Sequence, residues 1–145
     1  MEYVVFKLDE ENYTIPLEKI KEILVYSQVI ITELFNEDPW IKGMINLRGE
    51  VIPIVDLRVR FDIKDVTFGD NTVIIVIKTD ENKLIGIIVD NIESIIELDT
   101  QVIVAAPEMG VSVDPKYLEG LIKLNNEQMT TLLNIDAVLR LEEAA

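Results

Sequence analysis

Neither cysteine nor histidine occurs among the 145 residues of this chain. Without cysteine there are no disulfides and no thiolate ligands, and a reducing cytoplasm is compatible with the composition. Without histidine there are no Ser-His or Cys-His nucleophile pairs, no His-ligated zinc and no neutral-pH imidazole base. Most hydrolase and metalloenzyme chemistries are thereby excluded. Basic residues are also scarce, 13 Lys and Arg against 27 Asp and Glu, giving a net charge of −14. Nucleic acid and anionic membranes would repel such a chain, whereas basic partners would not. Aromatics are only 6% of residues, so aliphatic packing has to form the core. The longest apolar runs, such as Val73–Ile77, are too short to span a bilayer. The N-terminus, Met-Glu-Tyr, lacks a charged-then-apolar leader pattern. The chain reads as soluble and cytoplasmic.

Hydrophobic residues reach 49% of the chain and are dominated by Ile and Val, which favour strands. Tyr3–Leu8 alternates as a strand and ends in a polar turn at Asp9–Asn12. Tyr13–Tyr26 reads as a second extended segment, with Pro16 marking an edge or bulge. Between Ile31 and Lys42 the alternation is lost, which predicts a loop or single helical turn around Pro39-Trp40. Val73–Ile77 and Leu84–Val89 flank a turn at Asp80-Glu81-Asn82.

The halves are related. Ile15–Ile23 aligns with Ile87–Ile95, Gly43–Leu47 with Gly120–Leu124, Glu50 with Glu127, and Asp56-Leu57 with Asn134-Ile135. A multi-point internal duplication of short strands predicts two packed small barrels, because either half alone buries too little surface. Asp56 and Asn134 precede apolar segments as helix N-caps, the second opening a short terminal helix over 135–143. The expected fold is all-β, two five-stranded barrels with short helices, one of them at the C-terminus. One domain, 1–145, contains two pseudo-repeat subdomains, about 1–66 and 67–145, with strand exchange between them.

Residues 43–58, Gly-Met-Ile-Asn-Leu-Arg-Gly-Glu-Val-Ile-Pro-Ile-Val-Asp-Leu-Arg, carry the most specific signal. Two apolar runs flank Arg48-Gly49, where Gly49 lets the backbone reverse into a tight hairpin. A hairpin needs no charge at its tip, so Arg48 reads as an isolated cation able to anchor a partner carboxylate bidentately. The bland reading is a solvated arginine. Gly43 and Gly49 read as structural. The apolar stripe of Ile20, Ile23, Val89, Ile92 and Ile95 is core by default, or else lines a groove for an amphipathic helix. The groove reading is preferred for Ile20 and Ile92, and the core reading for Val89. Asp56 as a helix cap outweighs Asp56 as a catalytic acid. Asp90-Asn91 and Glu93 read as a polar turn and solvated face, and Trp40 as a plug for one barrel.

Residues 43–58 resemble the signature of the chemotaxis coupling protein family, CheW, whose core reads close to G-φ-x-N-L-R-G-x-φ-φ-P-φ-φ-D-L. Asn71–Val76, Gly86–Asp90 and Ala105-Ala106-Pro107-Glu108 are similar to further family segments. The resemblance runs over nearly the whole chain. It implies two intertwined SH3-like barrels, no catalytic activity, no cofactor and no metal. It also implies two partners, the cytoplasmic tip of a chemoreceptor and the regulatory domain of the histidine kinase CheA, with recruitment to membrane receptor arrays and a monomer outside them. The family's receptor-binding positions fall here at Ile20, Glu22, Ile23, Gly43, Asn46, Leu47, Arg48, Val89, Ile92 and Ile95. Its kinase-binding positions fall at Gly49 and Val51. The second-half hairpin has Asn125-Asn126 in place of Arg-Gly, so no equivalent arginine site is expected there. The alternative is an SH3-like regulatory or scaffold module of another two-component signalling complex. A carboxylate-pair enzyme is unsupported, since some pair among 27 acids always looks suitable. A nucleic-acid-binding barrel is opposed by the charge.

Overall fold

A computed structural model of the chain describes residues 1–33, 38–63, 67–98, 103–104, 115–124 and 129–139. Strands β1 (Glu2–Leu8), β2 (Glu11–Pro16), β3 (Ile20–Val25), β4 (Thr32–Glu33), β5 (Ile41–Leu47) and β6 (Glu50–Asp56) precede the short helix α1 (Leu57–Arg60). The same order follows again: β7 (Val73–Lys78), β8 (Leu84–Val89), β9 (Asn91–Glu97), β10 (Ile103–Val104), β11 (Leu118–Lys123), β12 (Met129–Leu133) and helix α2 (Ile135–Leu139).

Among the described residues two six-stranded sheets result, ordered β10-β11-β12-β2-β1-β9 and β3-β7-β8-β6-β5-β4. In each, five long strands are extended by a two-residue edge strand, β10 or β4. The all-β architecture is thus the one expected from the sequence, and the pairing is intertwined. The hairpin β1–β2 lies in the sheet of β9–β12, and the hairpin β7–β8 lies in the sheet of β3–β6. Each exchanged hairpin enters through a parallel ladder, β12 with β2 and β6 with β8, in sheets otherwise antiparallel. The chain passes between the sheets at the β2–β3 and β8–β9 junctions.

This topology explains why β7 is apolar on successive residues instead of alternating. Ile74 and Val76 face the core of the second sheet with Ile45, Ile52, Ile54 and Ile88. Ile75 and Ile77 face a larger core between the sheets, with Phe6, Leu8, Tyr13, Ile15, Ile87, Val89 and residues of both helices. A strand with both faces covered reads as a continuous hydrophobic run. The first sheet has its own core of Tyr3, Ile122 and Leu132.

Two local expectations are revised. The extended segment Tyr13–Tyr26 is two strands in different sheets, separated by a 3-10 turn at Leu17–Lys19. The region after Ile31, expected to be a loop or single helical turn around Pro39-Trp40, keeps a turn at those two residues but also carries β4, paired with Met44 and Gly43 of β5. Gly43, at φ +153°, is required by this pairing, because a Cβ there would lie 2.1 Å from the Thr32 carbonyl oxygen. Trp40 is buried in the inter-sheet core, with the Arg60 guanidinium 4.2 Å over its ring. The Asn125-Asn126 tip, the segment 105–108 and the end of the terminal helix lie outside the described residues. Among the described residues no helix is long and apolar enough to cross a membrane.

Candidate functional site

The β5–β6 hairpin closes with Leu47 opposite Glu50, leaving Arg48 and Gly49 as a two-residue loop. Their φ angles are +51° and +87°, so both central residues are left-handed, as a type I′ turn demands. The sequence signalled this for Gly49 only. Asn46 stabilises the turn by accepting a hydrogen bond from the Gly49 N–H through Oδ1 at 3.0 Å. Arg48 is therefore held in a backbone region that L-residues disfavour, where asparagine or glycine is the ordinary occupant.

Arg48 is not the isolated cation expected from the sequence. Its Nη1 and Nη2 donate to Glu22 Oε1 and Oε2 at 2.7 and 2.9 Å, a bidentate pair. Side-chain exposure is 72% for Arg48 and 26% for Glu22. The hydrogen bond from Arg48 holds the Glu22 carboxyl below its ordinary range, and the same bond raises the Arg48 guanidinium. The pair ties the hairpin tip to β3, whose ladder partner among the described strands is β7. Sequence reasoning named both residues but had no means of joining positions 26 apart.

Around this pair, β3 alternates. Ile20, Glu22 and Leu24 are half-buried, while Ile23 and Val25 are exposed, Ile23 by 44%. Leu47 packs against the second-sheet core. Ile20 and Ile92 both pack at the margin of the inter-sheet core, each just past a junction between the sheets. Ile95 is 56% exposed on β9, and Val51, on the strand leaving the tip, is 61% exposed. Gly49 is exposed at the tip itself. Val89 is a correction: it is 0% exposed, inside the inter-sheet core, and has no surface to offer a partner. Gly43 is buried as well and acts through the backbone pairing described above.

Arg58, which sequence reasoning did not single out, is nearly inaccessible. Its Nε and Nη2 donate to Asp56 Oδ1 and Oδ2, both at 2.9 Å, and its Nη1 donates to Asp90 Oδ1 at 2.8 Å and to the Thr67 carbonyl. Burial opposes its charge, but the bonds and charges of Asp56 and Asp90 outweigh burial and keep the guanidinium above its ordinary range. Asp56 is the α1 N-cap expected, accepting from the Arg58 N–H at 3.0 Å. Asp90, expected to be a solvated turn residue, belongs to this network, while Glu93 is exposed as expected. The signal was present as D-L-R at positions 56–58, but a buried arginine cannot be told from an exposed one by sequence spacing. Among the described residues no group of three or more acidic side chains is placed to hold a metal ion.

What this geometry presents is surface: an ion-paired hairpin tip, two strand faces with exposed aliphatics and the margin of an apolar core. Comparison with known proteins places it in a class, the scaffolding adaptors of chemotaxis signalling. The chain is 40% identical over 144 residues to the chemotaxis protein CheW of Klebsiella aerogenes, covering 99% of this chain and 84% of that protein. It is 32% identical to the chemotaxis protein CheW of Bacillus subtilis, covering 97% and 88%. The crystal structure of the scaffolding protein TtCheW from Thermoanaerobacter tengcongensis superposes with a TM-score of 0.88 at 28% identity, covering 97% of this chain and 93% of that one. The CheW-like domain model matches residues 2–143, and the chain belongs to that family.

Proposed function

We propose that this protein is a non-catalytic coupling adaptor that docks on the cytoplasmic tip of a chemoreceptor with one face and on the regulatory domain of the histidine kinase CheA with another. The observation that carries the reading is the Glu22–Arg48 pair at the tip of the family's signature hairpin. A strained, exposed arginine and its carboxylate are retained where an uncharged Asn-Gly turn would fold more easily. Receptor contact is assigned to Ile20, Glu22, Ile23, Leu47 and Arg48 of one barrel and to Ile92 and Ile95 of the other. Asn46 and Gly43 act by shaping the hairpin. Kinase contact is assigned to Gly49 and Val51. The two barrels correspond to pseudo-repeats of about residues 1–66 and 67–145 that exchange their leading hairpins.

The role needs surface and no reacting group. An interface at the lower end of standard size, about 1,200 Å² in total, suffices for a transient contact. Neighbouring contacts in an array then raise the effective concentration of each partner. Acting beside a membrane-bound receptor, the protein stays in the cytoplasm and is recruited to the array. Titration of Ile95→Asp and Val51→Asp variants against each partner fragment tests the division of faces. Ile95→Asp should weaken receptor binding alone and Val51→Asp kinase binding alone. Equal loss for both partners would refute it.

A further inference from the structure

At both places where the chain passes between the sheets, a carboxylate bridges a cation and the turn of an exchanged hairpin. At the β8–β9 junction, Asp90 receives the Arg58 guanidinium on Oδ1 at 2.8 Å and the Asp9 backbone N–H, from the β1–β2 turn, on Oδ2. At the β2–β3 junction, Asp136 receives the Lys19 ammonium on Oδ2 at 2.7 Å and the Asp80 backbone N–H, from the β7–β8 turn, on Oδ1 at 2.8 Å. Lys19 also pairs with the Asp80 carboxylate. The connections correspond, but the charges are exchanged. In the first clasp the junction supplies the acid and helix α1 the cation. In the second the junction supplies the cation and helix α2 the acid.

We propose that Lys19, Asp136, Arg58 and Asp90 are positioning residues that set the angle between the two barrels, and so the spacing of β3 and β9. The apolar core between the sheets holds them together without fixing a direction, since burial is non-directional. A carboxylate sharing its two oxygens between a cation and one backbone N–H fixes the hairpin turn, junction and helix relative to one another. Lys19 directly precedes Ile20, and Asp90 lies two residues before Ile92, so each clasp sits at the root of a strand assigned above to receptor contact. That consequence for binding rests on the proposed function, whereas the geometry does not.

The test uses spin labels in the full chain at Lys21→Cys and Ser94→Cys, both exposed, in a protein with no other cysteine. The parent should give one narrow inter-label distance distribution. Lys19→Met, which keeps the stem and removes the charge, should broaden or shift it, as should Lys19→Asp. Combining Lys19→Asp with Asp136→Arg rebuilds at α2 the charge order found at α1, and should return the parent distribution. A parent-like distribution in Lys19→Met, or a folded swap variant whose distribution stays broader than the parent's or shifted from it, would overturn the proposal. If Lys19→Asp does not fold, Lys19→Met and the swap variant still decide. No partner is needed, so restored geometry without receptor binding would count against the proposed function alone.

Discussion

Removing the Arg58 side chain provides a direct check on how this fold is held. In Arg58→Met the aliphatic stem is roughly kept, but Asp56, 1% exposed, loses both guanidinium bonds and retains the backbone N–H of residue 58. Asp90 loses its cation, and the Thr67 carbonyl loses a donor. Breaking a buried pair by deleting one partner costs about 3–5 kcal/mol, chiefly from the charge left unpaired. With urea m-values of about 1–3 kcal/mol/M, the unfolding midpoint should fall by roughly 2 M without a change of slope. Adding Asp56→Asn removes the stranded charge while keeping a cap, so the double variant should be more stable than Arg58→Met alone. Urea unfolding followed by Trp40 fluorescence, with circular dichroism as a second probe, measures both. A loss below about 1 kcal/mol would mean that the network is solvated like a surface pair. A double variant less stable than Arg58→Met would refute the stranded-charge argument.

Other consequences follow from single positions. Arg48→Asn places a residue tolerant of positive φ in the turn, so thermal stability should hold or rise while receptor binding falls. A parallel loss of both would make Arg48 merely structural. Gly86→Ala puts a methyl 2.5 Å from Ile54 Cδ1 and 2.8 Å from Ile74 Cγ2, and overpacking there should cost about 1–3 kcal/mol in urea unfolding. The Lys19–Asp136 clasp sets a pH window. Asp136 is held below its unfolded value of 3.8, burial being outweighed by Lys19 and the Asp80 N–H, so its contribution is full above that value and is lost as pH falls through the lower folded one. Lys19 is held above 10.5, first by Asp136, so its contribution is full below that pH and is lost as pH rises through the higher folded value. In a stability–pH profile, Asp136→Asn should therefore flatten the acid limb relative to the parent, and an unchanged acid limb would contradict the assignment.

The parts of the fold legible in the sequence are those fixed by neighbours along the chain. Apolar runs bounded by polar turns located β1, β5 and β8, the Arg-Gly pair located the hairpin, and Asp56 and Asn134 were visible as caps, the latter accepting the Ala137 N–H at 3.2 Å. Pairings between distant segments were not legible. Nothing local in Glu22 says that it meets Arg48, and nothing in Asp90 says that it meets Arg58. The same limit explains Val89. An apolar residue at the end of an apolar strand reads equally as groove or core, and the second sheet face, which buries it, comes from the other half of the chain. The break at Leu17–Lys19 was hidden because Ile and Leu continue through it while the chain changes sheets.

The central claim, a two-sided coupler, is tested most directly by titrating the purified protein at moderate salt against a CheA-type regulatory domain and, separately, a receptor-tip fragment. Saturable binding to each, with Arg48→Asn affecting the receptor titration and Val51→Asp the kinase one, is the result predicted. A folded protein that binds neither fragment would contradict it, and would leave the signature hairpin as a means of building a barrel and nothing more.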